Sequence, residues 1–227
     1  MPSTVTGGTN DGTCKGVLTS FASARNHAGF AVSDLTLTRD ANALKYTYFS
    51  RRGKYQFFRV FFEFDTSGIT IAPTEATLNI RGHANDALDV IVVRSEHSAT
   101  LAASDFHDGL PSSTFSALTA SAGDGSGTLA GVSNFTFSAE FSTWDASGVN
   151  EIPLIAPAFA DIASLDTFKV CVMEYDHDYL DVDGGSTAST GMYFADLGDP
   201  ASFLPSLVYE PGTAAVADNA TFFGANF

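Results

Sequence analysis

The clearest alternation of apolar and polar positions runs through Phe57-Phe58-Arg59-Val60-Phe61-Phe62-Glu63-Phe64-Asp65. Phe58, Val60, Phe62 and Phe64 share one side, and Phe57, Arg59, Phe61, Glu63 and Asp65 the other. A period of two defines a strand, here with one wholly apolar face and one mixed face. Four large side chains on one face require a second layer to cover them. Thr66-Ser67-Gly68 ends the strand. The alternation resumes over 76–82, with Ala76, Leu78 and Ile80 inward and Thr77, Asn79 and Arg81 outward.

The same reading extends along the chain. Residues 35–38 and 44–49 have strand character, and Ser50-Arg51-Arg52-Gly53-Lys54 is a basic turn that makes a hairpin with the central strand. Residues 88–94 are apolar on both faces, which predicts an internal strand. Over 132–141 the pattern places Phe135, Phe137, Ala139 and Phe141 on one inward face. Strands are also expected at 149–154, 168–175, 192–194 and 206–209, and Phe159, Ile162, Ala163 and Leu165 predict one helix over 156–165. The stretch 97–131 is rich in Ala, Ser, Thr, Gly and Asp and reads as a loop insertion, with a helical turn or loop at 104–110. These elements give an all-β, jelly-roll-like antiparallel β-sandwich with one short helix and extended N- and C-terminal arms. The expected organisation is an N-terminal arm with edge strands over 1–34, the sandwich over 35–210 and a C-terminal tail over 211–227.

Composition narrows the possible partners. The 227 residues carry a formal charge of −15, which disfavours binding to phosphate backbones and so to nucleic acid. Twenty Phe and one Trp supply a core that asks for few hydrogen-bond partners. Two cysteines exclude a disulfide-dense scaffold; Cys171 reads as a buried thiol, and a bridge to Cys14 stays open. Met1 is followed by neither a basic nor an apolar leader segment, and no apolar run reaches membrane-spanning length. The expectation is therefore a chain without a membrane partner, made in a host cytoplasm.

The segments Arg59-Val60-Phe61-Phe62-Glu63-Phe64-Asp65-Thr66-Ser67-Gly68-Ile69, Pro73 and Ala76-Thr77-Leu78-Asn79-Ile80 resemble the LLRFDLSSIP and ATLRLY core of DNRLRE-type domains. Residues 149–163, 168–179 and 205–209 follow in the order that family shows, so the likeness spans roughly 35–210, with 97–131 departing from it. The resemblance implies a jelly-roll sandwich of the kind found in surface proteins, carbohydrate-binding modules and phage structural proteins. It carries over no site residue. The end Phe222-Phe223-Gly224-Ala225-Asn226-Phe227 looks like the C-termini of some phage virion proteins.

Candidate chemistry is sparse. Asp176, Asp178, Asp181 and Asp183 precede Gly184-Gly185 and form a candidate calcium loop, because hard cations take clustered carboxylate oxygens. A calcium-binding EF-hand is excluded, since its twelfth position counted from Asp176 is Thr187; the plainer alternative is a solvated acidic loop. Beyond that ion no cofactor is implied. His97, Asp105, His107 and Asp108 lack zinc-motif spacing, and the histidines read as surface loop residues. Trp144, Tyr46, Tyr48, Tyr55 and Tyr193 are candidates for a sugar-stacking platform or for ordinary core and rim aromatics. Ser126 lacks a nucleophile frame, and no catalytic signature is present. Arg51, Arg52 and Lys54 form a basic patch, and Phe222, Phe223 and Phe227 form an apolar end that needs a docking surface.

The expected function is accordingly non-enzymatic. The first reading is a virion structural protein of a phage, a capsid decoration or a tail, fibre or neck component, docking on other virion proteins in an oligomeric or symmetric assembly. The alternative is a carbohydrate-binding module for glycans of a host surface.

Overall fold

The computed structural model describes residues 1–26, 32–34, 39–49, 52–85, 88–184, 187–194 and 201–213. Among these residues there are eleven strands: β1 (Ser3–Thr6), β2 (Gly12–Leu18), β3 (Val32–Asp34), β4 (Arg39–Phe49), β5 (Lys54–Asp65), β6 (Glu75–Asn85), β7 (Val90–Arg94), β8 (Val149–Pro153), β9 (Thr167–Glu174), β10 (Ala188–Tyr193) and β11 (Ser206–Glu210). Every ladder is antiparallel. One sheet runs β1-β11-β6-β8, and the other runs β6-β10-β4-β5-β2-β3 with β9 on β5 and β7 on β9. The result is an open all-β sandwich. Strand β6 belongs to both sheets: Glu75 to Arg81 pair with β11 and β8, while Gly82 and Asn85 pair with β10. Gly82 marks the crossover because a Cβ there would run into the carbonyl oxygen of Asp145.

The central alternation places Val60, Phe62 and Phe64 between the sheets, against Leu78 and Ile80 of β6, Ile152 of β8 and Val170 and Val172 of β9. The helix expected at 156–165 is present as Ala156–Ser164, with Ala158 and Ile162 buried. It is not the single helix: Phe21–Arg25 (α1), Asp105–Asp108 (α2) and Phe115–Thr119 (α3) precede it, so the Ala156–Ser164 helix is α4.

The mixed face of β5 is also buried. Phe57 and Phe61 join Tyr46, Cys14, Ile91, Val93, Cys171 and Met173 in a second core. Its cover comes from α1 and from the stretch read as an insertion, which contributes Leu101, Phe106, Leu110, Leu118 and Leu129. Residues 97–131 are thus the third layer of the domain. Their apolar residues are spaced too widely for a period to show, and short helices and turns bring them together. Cys14 and Cys171 are both buried and free.

Two further expectations change. The N-terminal segment is part of the sandwich, because β1 lies along β11 and β2 lies along β5 from Tyr55 to Phe61. Its Gly and Thr residues suit tight backbone approach: a Cβ on Gly16 would meet the Ala24 carbonyl and the Phe106 ring. Residues 132–141 form isolated bridges in place of a strand. Phe137 N and Ser138 N both donate to Val92 O, at 2.9 and 3.2 Å, a bulge that sends Phe135 to the second core and Phe137 to the first. The strand expected at 35–38 and the tail beyond 213 lie outside the described residues.

Candidate functional site at the hairpin and the acidic loop

Strand β5 is forked. Strand β2 occupies one edge, and the other is shared by β4 at Lys54 to Phe58 and β9 at Val60 to Asp65. Arg59 is the residue between the two partners. Past the end of β9, residues Tyr175–Tyr179 form a π-turn whose first amides are capped by the Glu174 side chain. The acidic loop therefore starts at the fork.

Arg59 is fully buried and forms a two-pronged pair with Asp178, Nε to Oδ2 at 2.8 Å and Nη2 to Oδ1 at 2.7 Å. It also donates to the carbonyls of Phe106 and Arg25, and its guanidinium lies 4.2 Å from the Phe106 ring centroid. Arg25, at the end of α1, is equally buried and donates to Asp178 O, Gly127 O and Asp181 Oδ1. Burial lowers its pKa to about 10, so it stays charged at neutral pH. Asp181 further accepts from Ser121 Oγ and from the amides of Ala122, Gly123 and Gly127. Its backbone is left-handed, φ 63°, a conformation Asp tolerates, and this fits the turn that carries the carboxylate to those amides. Every charge in this cluster has an opposite partner and additional hydrogen bonds, the condition under which buried ions are tolerated.

The outer half of the loop reaches the hairpin. Asp183 accepts from Tyr46 Oη at 2.7 Å and Tyr55 Oη at 2.9 Å. Tyr55 lies opposite Tyr48 in the ladder, the rings 4.6 Å apart, and Phe49 lies opposite Lys54. Burial and Asp183 raise the Tyr55 phenol to about 12. The structure thus joins the acidic loop to the basic hairpin, which sequence treated separately. Arg52 and Lys54 are exposed there, and Tyr48 and Phe49 are 38% and 40% exposed; Arg51 lies outside the described residues. Phe222, Phe223 and Phe227 also lie outside them. Of the other aromatics considered for a platform, Trp144, Tyr46 and Tyr193 are buried.

No three of Asp176, Asp178, Asp181 and Asp183 bring their oxygens within 4.8 Å of one another. Two turn inward to the arginines and one to the tyrosines. The convergent set among the described residues is Glu174, Asp176 and His177, whose candidate ligand atoms all lie within 4.8 Å of one another. It contains an imidazole, which suits zinc or a similar ion better than calcium. Sequence reasoning missed Glu174, His177, Arg25, Arg59 and Ser121. Arg59 did leave a signal, a lone cation between Phe57 and Phe61; Arg25 left none.

His97, Asp105, His107 and Asp108 serve local structure, and His97, expected at the surface, is buried together with Asp105. His97 Nδ1 is 2.8 Å from Ser95 Oγ, and burial lowers its pKa to about 4. Asp105 accepts from Ser98 N and Ala102 N, and His107 pairs with Asp108 at 2.9 Å.

Burial raises the Glu174 carboxyl to about 8, although the amides of Asp176, His177 and Asp178 donate to it. Between its ordinary value of 4.5 and about 8, the folded chain keeps a proton that the unfolded chain has released. This group's contribution to stability therefore falls as pH rises through that window and is flat above it. Glu174→Gln is expected to remove this slope, read as the difference in urea midpoint between the two ends of the window. An unchanged slope would show that Glu174 ionises normally in the fold.

No protein-family model matches the chain, and no curated protein matches it at a significant level. Among the described residues no helix is long and apolar enough to cross a membrane.

Proposed function

We propose that the protein is a non-catalytic structural and docking module of a multi-subunit particle such as a phage virion, serving as shell decoration or as a tail, fibre or neck component. The observation that carries this reading is the cationic and aromatic hairpin end on a chain of charge −15. Lys15, Lys45, Arg52 and Lys54 are four of its eleven cations, and Lys45 Nζ lies 6.0 Å from the centroid of the exposed Phe49 ring, which stands opposite Lys54. Lys15 and Lys45 lie opposite Phe58 from the two neighbouring strands. Such a patch complements an acidic face on a neighbouring subunit, and opposed charge sets the register of docking more than its strength. The buried arginine–carboxylate cluster fixes the end of the sandwich that presents it. The resemblance to DNRLRE-type domains agrees with this role.

The test is sedimentation of particles from the native source. The protein is expected at fixed stoichiometry, and the double variant Arg52→Glu, Lys54→Glu is expected to be lost from the particle while melting normally. Absence of the parent protein from any assembly would end this reading. The Tyr48–Tyr55 pair beside Asp183 favours a second one, glycan binding at the same end, since paired rings with a carboxylate suit sugar faces and hydroxyls. It requires saturable glycan binding by the isolated chain that Tyr48→Ala weakens.

A further inference from the structure

Three of the four aspartates in the acidic loop are taken by the fold. Asp178 answers Arg59, Asp181 answers Arg25 and Ser121, and Asp183 answers Tyr46 and Tyr55. The fourth, Asp176, is exposed, and among the described residues no hydrogen bond or ion pair reaches its carboxylate. That carboxylate converges with two buried groups. One ligand atom from each of Glu174, Asp176 and His177 lies within 4.8 Å of the other two. Glu174 and His177 are 2% and 7% exposed, so they supply the covered side of the set and Asp176 its opening to solvent.

The covered side is held in place. Glu174 ends β9, and its Oε2 accepts from the amides of His177 and Asp178 at 2.6 and 3.0 Å. Oε1 accepts from the Asp176 amide at 3.1 Å and keeps a second lone pair. It faces the imidazole, with His177 Nδ1 at 3.8 Å. The ring is fixed from two directions. Tyr46 of β4 packs edge-on at 3.9 Å between centroids, and Gly184 lies so near that a Cβ there would come within 3.2 Å of the imidazole Cε1. Donors about 2.0–2.2 Å from a tetrahedral zinc ion stand about 3.4 Å apart, so the Glu174 oxygen and the His177 nitrogen need to approach only slightly. Calcium takes about six to eight oxygens, more than this set offers. One imidazole with two carboxylates matches a borderline divalent ion, and three protein ligands leave a fourth position for water.

We propose that Glu174, Asp176 and His177 bind one divalent cation of the zinc class at the turn after β9. The site is independent of the assembly role, because it is read on the isolated chain. The experiment strips the full chain with a chelator and titrates it with zinc, calcium and magnesium chlorides by calorimetry, with imidazole nitrogen NMR on the zinc titration. Zinc is expected to bind saturably at one equivalent, to shift the His177 ring signals and to raise the melting temperature. Calcium and magnesium are expected to bind at least about tenfold more weakly. Asp176→Asn, at an exposed position without structural bonds, is expected to weaken zinc at least about tenfold, since even residues that only support metal ligands cost about 10–100-fold when lost. His177→Gln is expected to weaken it likewise, and His107→Gln, at the other histidine–aspartate pair, to leave it unchanged. Absence of zinc binding overturns the proposal. Calcium binding as tight as zinc overturns the role of the imidazole. Zinc binding that Asp176→Asn spares, or that leaves the His177 ring signals unmoved, places the ion elsewhere and overturns the site.

Discussion

Asp178→Ala is expected to cost about 3–5 kcal/mol of stability, the scale for removing one partner from a buried ion pair. The reason is the guanidinium left behind. Arg59 is inaccessible to solvent, and both prongs of its pairing end on Asp178. Without the carboxylate its charge would keep only the Phe106 and Arg25 carbonyls and the Phe106 ring. Arg25 would lose a neighbouring negative charge at 3.5 Å in the same step. For a domain of this size the melting temperature should fall by about 6–20 °C. The pair Arg59→Leu, Asp178→Leu should recover much of that loss, since replacing both ions by apolar groups removes the desolvation penalty along with the attraction. Thermal and urea denaturation of Arg59→Leu, Asp178→Leu and the double variant measure the coupling. A single variant as stable as the parent would mean that the cluster is solvated in solution and does not hold the acidic loop to the sheet.

Phe106→Ala is expected to be comparably damaging, at about 3–5 kcal/mol, the cost of truncating a fully buried phenylalanine. Phe106 comes from the stretch that sequence reads as an insertion. Its ring sits under the Arg59 guanidinium and against Gly16, so a cavity there would loosen α2, β2 and the ionic cluster together. The contrast is Phe49→Ala, which removes a ring already 40% exposed and should change stability little. Equal urea midpoints for Phe106→Ala and the parent would restore the insertion reading.

The two outcomes bear on what was legible beforehand. Strands β5, β6, β7, β9 and α4 follow from alternation or helical spacing, because each buries at least one face and each face is written in consecutive residues. The hairpin follows from its basic Gly-containing turn. The second core escapes this reading because part of it is supplied one residue at a time: Leu101, Phe106, Leu110, Leu118 and Leu129 sit in short helices and turns with no sustained period. The acidic loop was found, and the partners of its aspartates were not, for a related reason. Clustered aspartates look alike in sequence, whether they face a cation or an arginine. What separates the cases here is Arg25 and Arg59, which lie 153 and 119 residues away from Asp178.

The pairing of β1 with β11 also sets the order in which the chain is completed. Val5 pairs with Leu207, so β1 has its partner about two hundred residues later, in the last strand described. A chain emerging from the ribosome can close the β4–β5 hairpin early, but β1 stays an open edge until residues 206–210 are free. Contacts of such sequence separation slow folding and lengthen the interval in which unpaired strands are exposed. The interval before β11 is made is then a window for aggregation that the finished, paired strand no longer offers. Conditions that slow translation late in the message should lower its soluble yield.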